Sequence, residues 1–206
     1  FPKDERQLNP VMSKLFKANP YSSSGIHRQC DPLPDVSILS DLVWSDAASV
    51  MLPEKYRGWL QDSGSLTARL QQYTASLSLQ LLTSGWQTIS NTNTSQLMRQ
   101  VLLSDGQQPW IWGLTEVNAL QLADEPALLN WSTEPLGLLL FADDAIGARH
   151  FEVTDFTQHS EFLRMLSNWG CPVAQPLWGR RSRLQFRSCP LTLTEVFLPK
   201  HPMYGV

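Results

Sequence analysis

From residue 77 onward the chain repeatedly alternates apolar and polar residues with a period of two, and this repetition restricts its fold more than any other feature. Leu77, Leu79 and Leu81 alternate with Ser76, Ser78 and Gln80, the pattern of a strand with one face in a core and the other in water. Strand-like runs follow at 96–104 and 109–117, joined by Ser104-Asp105-Gly106-Gln107-Gln108-Pro109, a hairpin connection by composition. Two more are expected at 149–157 and 177–187, and 191–198 pairs back across a tight turn at Arg187-Ser188-Cys189-Pro190. Gly85 predicts a bend or bulge before Trp86 continues the first strand. Between the strands, Leu52-Pro53-Glu54-Lys55 puts Pro and an acid in the first turn of a helix that runs to Leu60. Ser65 can cap a second helix over 66–70. Further helical stretches fall near 8–17, 118–131, from Leu136, and 159–168. The pattern as a whole predicts an α+β fold on a six-stranded antiparallel sheet.

A length of 206 residues suits one good-sized domain. Residues 18–35 are rich in Pro, Ser and Gly, which reads as irregular chain. Residues 1–50 are therefore taken as an N-terminal extension and 51–206 as the domain. Apolar residues at 42% and charged residues at 17% fit a substantial core. A net charge of −3 without clustered Lys or Arg argues against a nucleic-acid surface. No apolar run reaches the roughly 20 residues needed to cross a bilayer, and no apolar core follows the charged start Lys3-Asp4-Glu5-Arg6, so no signal peptide is read there. Cys30, Cys171 and Cys189 lack C-x-x-C spacing, and His27, His150, His159 and His201 are scattered. Reduced thiols in a cytoplasmic protein and no bound metal are the expectation. No glycine-rich dinucleotide loop, phosphate loop or nucleophile elbow is present, so no cofactor is expected. The eight Trp are read as packing rather than as a ligand platform.

Two charges stand on the wrong side of their strands. One face of 97–103 carries Leu97, Arg99, Val101 and Leu103; one face of 191–197 carries Leu191, Leu193, Glu195 and Phe197. A buried charge without a partner costs several kcal/mol at least, so each must be matched by something. One reading is a buried ion pair, between the two or with other residues. The other is a closed pocket in which Arg99 grips a ligand carboxylate through its planar fork and Glu195 reaches a hydroxyl. Arg181, Arg183 and Arg187 alternate along one side of 177–187 and read as a solvated face. Arg180 lies on the opposite side with Trp178, Leu184 and Phe186, placed to pair with a carboxylate at the pocket edge, a ligand's second carboxylate included.

The run Leu177-Trp178-Gly179-Arg180-Arg181-Ser182-Arg183-Leu184, then Pro190-Leu191-Thr192-Leu193-Thr194-Glu195-Val196-Phe197-Leu198-Pro199 and Pro202-Met203-Tyr204, closely resembles the C-terminus of the bacterial chorismate pyruvate-lyase family. Met98-Arg99-Gln100-Val101-Leu102-Leu103, Pro109-Trp110 with Gly113, and Pro135-Leu136-Gly137 resemble the same family in the same order. The resemblance runs from about 52 to 204. It leaves out residues 1–50, and 158–176 looks like an insertion.

It implies a sheet whose helices cover an internal ligand cavity, and a cofactor-free, monomeric lyase that converts chorismate to 4-hydroxybenzoate, a quinone precursor, and pyruvate; a closed pocket built around an aromatic acid should also hold its product well, so product inhibition is expected. It implies that Arg99 holds the ring carboxylate and Glu195 lies near the 4-hydroxyl. Leu136 and Leu66 are the positions where the family contacts ligand through backbone, and Leu66 departs from the Met expected there. Catalysis is then either orientation alone or proton transfer by Glu195. The alternative is a non-catalytic aromatic-acid-binding domain, like the ligand-sensing domains of transcription regulators that share the fold.

Overall fold

The computed structural model describes residues 36–89, 94–118, 136–140, 149–171, 173, 176–187 and 189–205, all within one compact unit, Asp31–Val206. The alternating runs become one antiparallel sheet of β1 Ser45–Asp46, β2 Leu77–Ile89, β3 Thr94–Asp105, β4 Gln108–Asn118, β5 His150–Asp155, β6 Trp178–Phe186 and β7 Cys189–Phe197. Their spatial order is β1-β5-β6-β7-β4-β3-β2. The sheet thus has seven strands where the alternation predicts six. The added strand is β1, whose two residues are too few to show a period; Ser45 pairs with Val153 and Asp46 with Glu152.

Two three-stranded meanders, β2–β4 and β5–β7, meet where β4 pairs with β7. Each contains a two-residue turn. Asp105 pairs with Gln108 around Gly106, whose φ of 56° suits glycine. Phe186 pairs with Cys189, and Arg187 takes a φ of 51°, at a cost of about 1–2 kcal/mol for a residue with a Cβ. The irregularity in β2 lies not at Gly85 but at Leu82, the extra residue between Leu81, opposite Val101, and Thr83, opposite Gln100. A bulge requires an unpaired residue rather than a glycine. Gly85 stays in register opposite Met98, with open space beside it.

Helices α1 Glu54–Leu60, α2 Leu66–Leu70, α3 Leu136–Leu140 and α4 Ser160–Asn168 sit where the capping and apolar signals place them. Ser65 caps α2, its Oγ accepting from the Ala68 amide at 3.3 Å. The helical stretch read at 8–17 lies outside the described residues, as does that read at 118–131 apart from Asn118, which ends β4.

The sheet is covered on both faces. On the outer face, α4 lowers Phe162, Met165 and Leu166 onto Trp112 and Val196, and Leu39 and Trp44 join the same cluster. The segment 158–176, read as an insertion, carries this layer. Gly179 makes the approach possible, since a side chain there would collide with the Phe156 ring. On the inner face, α1, α2 and the turn at Pro202–Tyr204 build a cluster around Trp59, Leu60, Leu70, Ile111 and Phe197. A second inner cluster gathers Val117, Leu140, Leu184, Phe186 and Leu191. Trp59, Trp110 and Trp112 are buried in these layers. Among the described residues, no three His, Cys, Asp or Glu side chains gather as a metal site, and no helix is long and apolar enough to cross a membrane.

His201 is fully buried, boxed edge-on by Trp59, Trp110 and Phe197. Its Nδ1 accepts from the Met203 amide at 2.9 Å. Burial, with Arg180 and Arg69 nearby, pulls its pKa down to about 3 from 6.5. The native state therefore stays neutral where the unfolded chain takes up a proton. The stability this provides is complete above pH 6.5 and is lost as pH falls toward 3, with a slope approaching about 1.4 kcal/mol per unit. Urea titrations between pH 7 and pH 4 should show a decline that is shallower in His201→Gln. Identical slopes for the two proteins would contradict this assignment.

Candidate functional site

The inner face of β4 reads Ile111, Gly113, Thr115, Val117, and the two small residues in its middle leave space above the sheet. A Cβ on Gly113 would stand 3.1 Å from Val101 Cγ2. The result is a cavity of about 50 Å³ between the two inner clusters. Leu79, Val101, Leu103, Thr115 and Leu193 line it from β2, β3, β4 and β7, and Leu66, Thr67, Leu136 and Leu140 line it from α2 and α3. Gly137 lets α3 lie close to the start of α2, because a Cβ there would be 2.8 Å from Ser65 Oγ. No Trp lines the cavity among the described residues.

Among the described residues, three charged side chains border this space: Arg99, Glu195 and Arg149. The four residues singled out in the sequence, Arg99, Glu195, Leu136 and Leu66, therefore stand around one cavity. Arg99 sits midway along β3 opposite Thr115 and is buried. Loss of hydration lowers its pKa to about 10, which still leaves it protonated at neutral pH. Glu195 lies opposite Gly113 on one side and Arg180 on the other.

Arg180 supplies the ion pair that the strand pattern left open. Its Nε donates to Glu195 Oε2 at 2.6 Å, and neither side chain is more than 9% exposed. Arg180 Nη1 also donates to the Trp59 and Asp62 carbonyls at 2.8 and 2.9 Å. The outward arginines differ from one another. Arg183 is 63% exposed, as a solvated face requires, but Arg181 is covered. It lies 4.5 Å over the Trp44 ring and pairs with Glu152 at 2.8 Å. The correction has a simple cause: residues ahead of 50 pack on that face.

The loop between α1 and α2 is held from three sides. Arg180 takes the Trp59 and Asp62 carbonyls. Arg149 Nη1 takes those of Ser63 and Gly64 at 3.2 and 3.3 Å. Arg69 Nη1 donates to Asp62 Oδ2 at 2.9 Å. Burial raises the Asp62 carboxyl, but the Gly64 amide and Arg69 outweigh it, and its pKa ends below the ordinary value. This anchoring fixes where Leu66 enters the cavity wall. Sequence reasoning missed Arg149, although it begins the run expected at 149–157 on the side of Phe151 and Val153, and Thr115, whose signal was present as a small polar residue on an apolar face.

Comparison with known proteins gives this geometry a context. The family model for chorismate lyase matches residues 38–205. The chain is 32% identical to the chorismate pyruvate-lyase of Pectobacterium carotovorum subsp. carotovorum over 181 residues, which is 82% of this chain and 92% of that protein. It is 31% identical to that of Pectobacterium atrosepticum, covering 82% of this chain and 90% of that one. It is 28% identical to a probable chorismate pyruvate-lyase of Pseudoalteromonas atlantica, covering 81% and 91%. Among solved structures, the C-terminal domain of the histidine utilization repressor from Pseudomonas syringae pv. tomato superposes with a TM-score of 0.48 at 10% identity, over 61% of this chain and 93% of that one, too low a score to carry an argument. A match spanning most of the chain, with relatives at about 30% identity, settles the affiliation: the chain belongs to the chorismate lyase family.

Proposed function

We propose that the cavity binds chorismate and converts it to 4-hydroxybenzoate and pyruvate. The observation that carries this reading is a buried cation and a buried anion on β3 and β7, bordering one leucine-walled space with β4 between them. Two strand spacings and a two-residue offset along β4 separate their backbones by roughly 12 Å, and the side chains reach inward from there, which suits a ring carrying a carboxylate and a hydroxyl at opposite ends. Arg99 holds the ring carboxylate and Glu195 Oε1 accepts from the 4-hydroxyl, while Oε2 stays with Arg180. Leu66 and Leu136 begin α2 and α3, where first-turn amides have no acceptor within their own helix, so both suit backbone contacts to a ligand. The space of about 50 Å³ is smaller than the roughly 150 Å³ apolar cavity that takes benzene, so the leucine walls must yield when a ring enters. The relatives' names favour turnover over binding alone.

The reaction needs few catalytic groups. The ring C–H beside the ether gives its hydrogen to the enolpyruvyl methylene, the ring C–O bond breaks, and the two carbons of the former enol become the methyl and carbonyl of pyruvate. Aromatisation drives the step. With Glu195 tied to Arg180, the chain's contribution is orientation in a water-poor space. Glu195→Gln should then lower the melting temperature, because the buried pair loses its anion, yet keep kcat of the folded protein within about tenfold of the parent. A fall of a thousandfold in kcat would assign proton transfer to Glu195. The activity itself is tested by incubating the pure chain with chorismate and following 4-hydroxybenzoate by its absorbance. Accumulation at enzymatic rates supports the reading, and no product above the uncatalysed background overturns it.

A further inference from the structure

The cavity contains a second arginine, and chorismate has a second carboxylate. Arg149 borders the same space as Arg99 and Glu195. It also borders a cleft of about 460 Å³ on its other side, lined by Asp46, Arg57, Gln61 and His150 among others. Its guanidinium donates to the Ser63 and Gly64 carbonyls and, at 3.0 Å, to Ser182 Oγ, and the Glu195 and Asp62 carboxylates act on it electrostatically. It also lies 4.8 Å from the centre of the Phe151 ring. A cation fixed in this way loses little further freedom when it takes a ligand.

The sheet order puts Glu195 between the two arginines. Glu195 on β7 stands two strands from Arg99 on β3 and two strands, on the other side, from β5, immediately ahead of which lies Arg149. Arg99 and Ser182, the β6 residue that Arg149 reaches, are both level with Leu193, two residues along the strand from Glu195. Chorismate has a matching order: ring carboxylate, 4-hydroxyl, and an adjacent ether that ends in the enolpyruvyl carboxylate. We propose that Arg149 binds the enolpyruvyl carboxylate, so that the substrate spans both arginines while 4-hydroxybenzoate, with one carboxylate, engages only Arg99. This assignment rests on the chorismate reading above. It makes Arg149 the residue that separates substrate from product, and it places the pyruvate end of the substrate next to the outer cleft.

The test compares two ligands on three full-length proteins: parent, Arg149→Gln and Arg149→Lys, each checked for folding by thermal melting. Calorimetry gives the affinity for 4-hydroxybenzoate, and initial rates give kcat/KM for chorismate. In Arg149→Gln, kcat/KM for chorismate should fall about 100-fold while 4-hydroxybenzoate affinity stays within about threefold, and Arg149→Lys should recover part of the loss. Parallel losses for both ligands would mean that Arg149 acts only by holding the Ser63–Gly64 loop, and unchanged chorismate use would remove it from the site; either result overturns the proposal. Should the parent fail to turn chorismate over, the lyase reading fails separately. Chorismate affinity measured by calorimetry in the same three proteins then decides the role of Arg149 by the same contrast.

Discussion

Replacing Arg180 by Met is expected to cost the fold about 3–5 kcal/mol, since removing one member of a buried pair leaves the other charge uncompensated. The side chain is fully buried and does three things at once. Its Nε neutralises Glu195 at 2.6 Å, and its Nη1 satisfies one carbonyl near the end of α1 and one in the α1–α2 loop. Met fills much of the volume but returns none of these hydrogen bonds. In a chain of this size each kcal/mol shifts the melting temperature by roughly 2–4 °C, so a drop on the order of 6–20 °C should appear by calorimetry. Arg183→Met on the same strand provides the control. Its side chain is 63% exposed, and a surface charge there contributes no more than about 1 kcal/mol. Equal melting temperatures for the two variants would show that the buried pair does not support the fold.

Arg99→Ala is expected to behave in the opposite way, remaining stable while losing function. With its partner carboxylate desolvated and unmatched in the variant, the loss in kcat/KM should be about 2–5 kcal/mol, or roughly 30- to 5000-fold. Burial already lowers the Arg99 pKa to about 10, so the cation is costly where it stands, and its removal should lower the melting temperature less than Arg180→Met does. Arg99→Lys retains charge but not the planar fork, and should fall between the two. A variant that unfolds would place Arg99 with Arg180 as a structural group, and near-normal chorismate use would remove the carboxylate clamp altogether.

These two arginines also show how far the sequence could be read. Period-two alternation assigned Arg99 and Glu195 to inward faces, and both border the cavity, because one buried sheet face forces a fixed register. The partner of Glu195 was legible in principle. Counting back from a two-residue turn at Arg187 and Ser188 pairs Leu184 with Leu191, Ser182 with Leu193 and Arg180 with Glu195. Composition marked the turn broadly, over 187–190, and that breadth hid the register. β1 escaped because two residues have no period. Gly85 drew attention that belonged to Leu82, because backbone permissiveness in a glycine says nothing about which residue the partner strand skips. Arg149 opened the strand expected at 149–157, on the apolar side with Phe151 and Val153, and was passed over because it stands at the strand's end rather than in its middle. Its place in the site comes from contacts with Ser63, Gly64 and Ser182, far from it in sequence, and only the assembled sheet brings them together. Trp44 likewise covers Arg181 through contacts that no local pattern encodes.

Arg99 and Glu195 are proposed to receive the two ends of one small aromatic acid, and a crystal structure of the full chain grown with 4-hydroxybenzoate is the decisive test. The ring is expected between α2, α3 and β4, with its carboxylate on the Arg99 guanidinium and its hydroxyl on Glu195, each within the roughly 2.5–3.2 Å of a hydrogen bond. A ligand bound only in the outer cleft beside Arg57, or a ring in the cavity that touches neither charge, would contradict it.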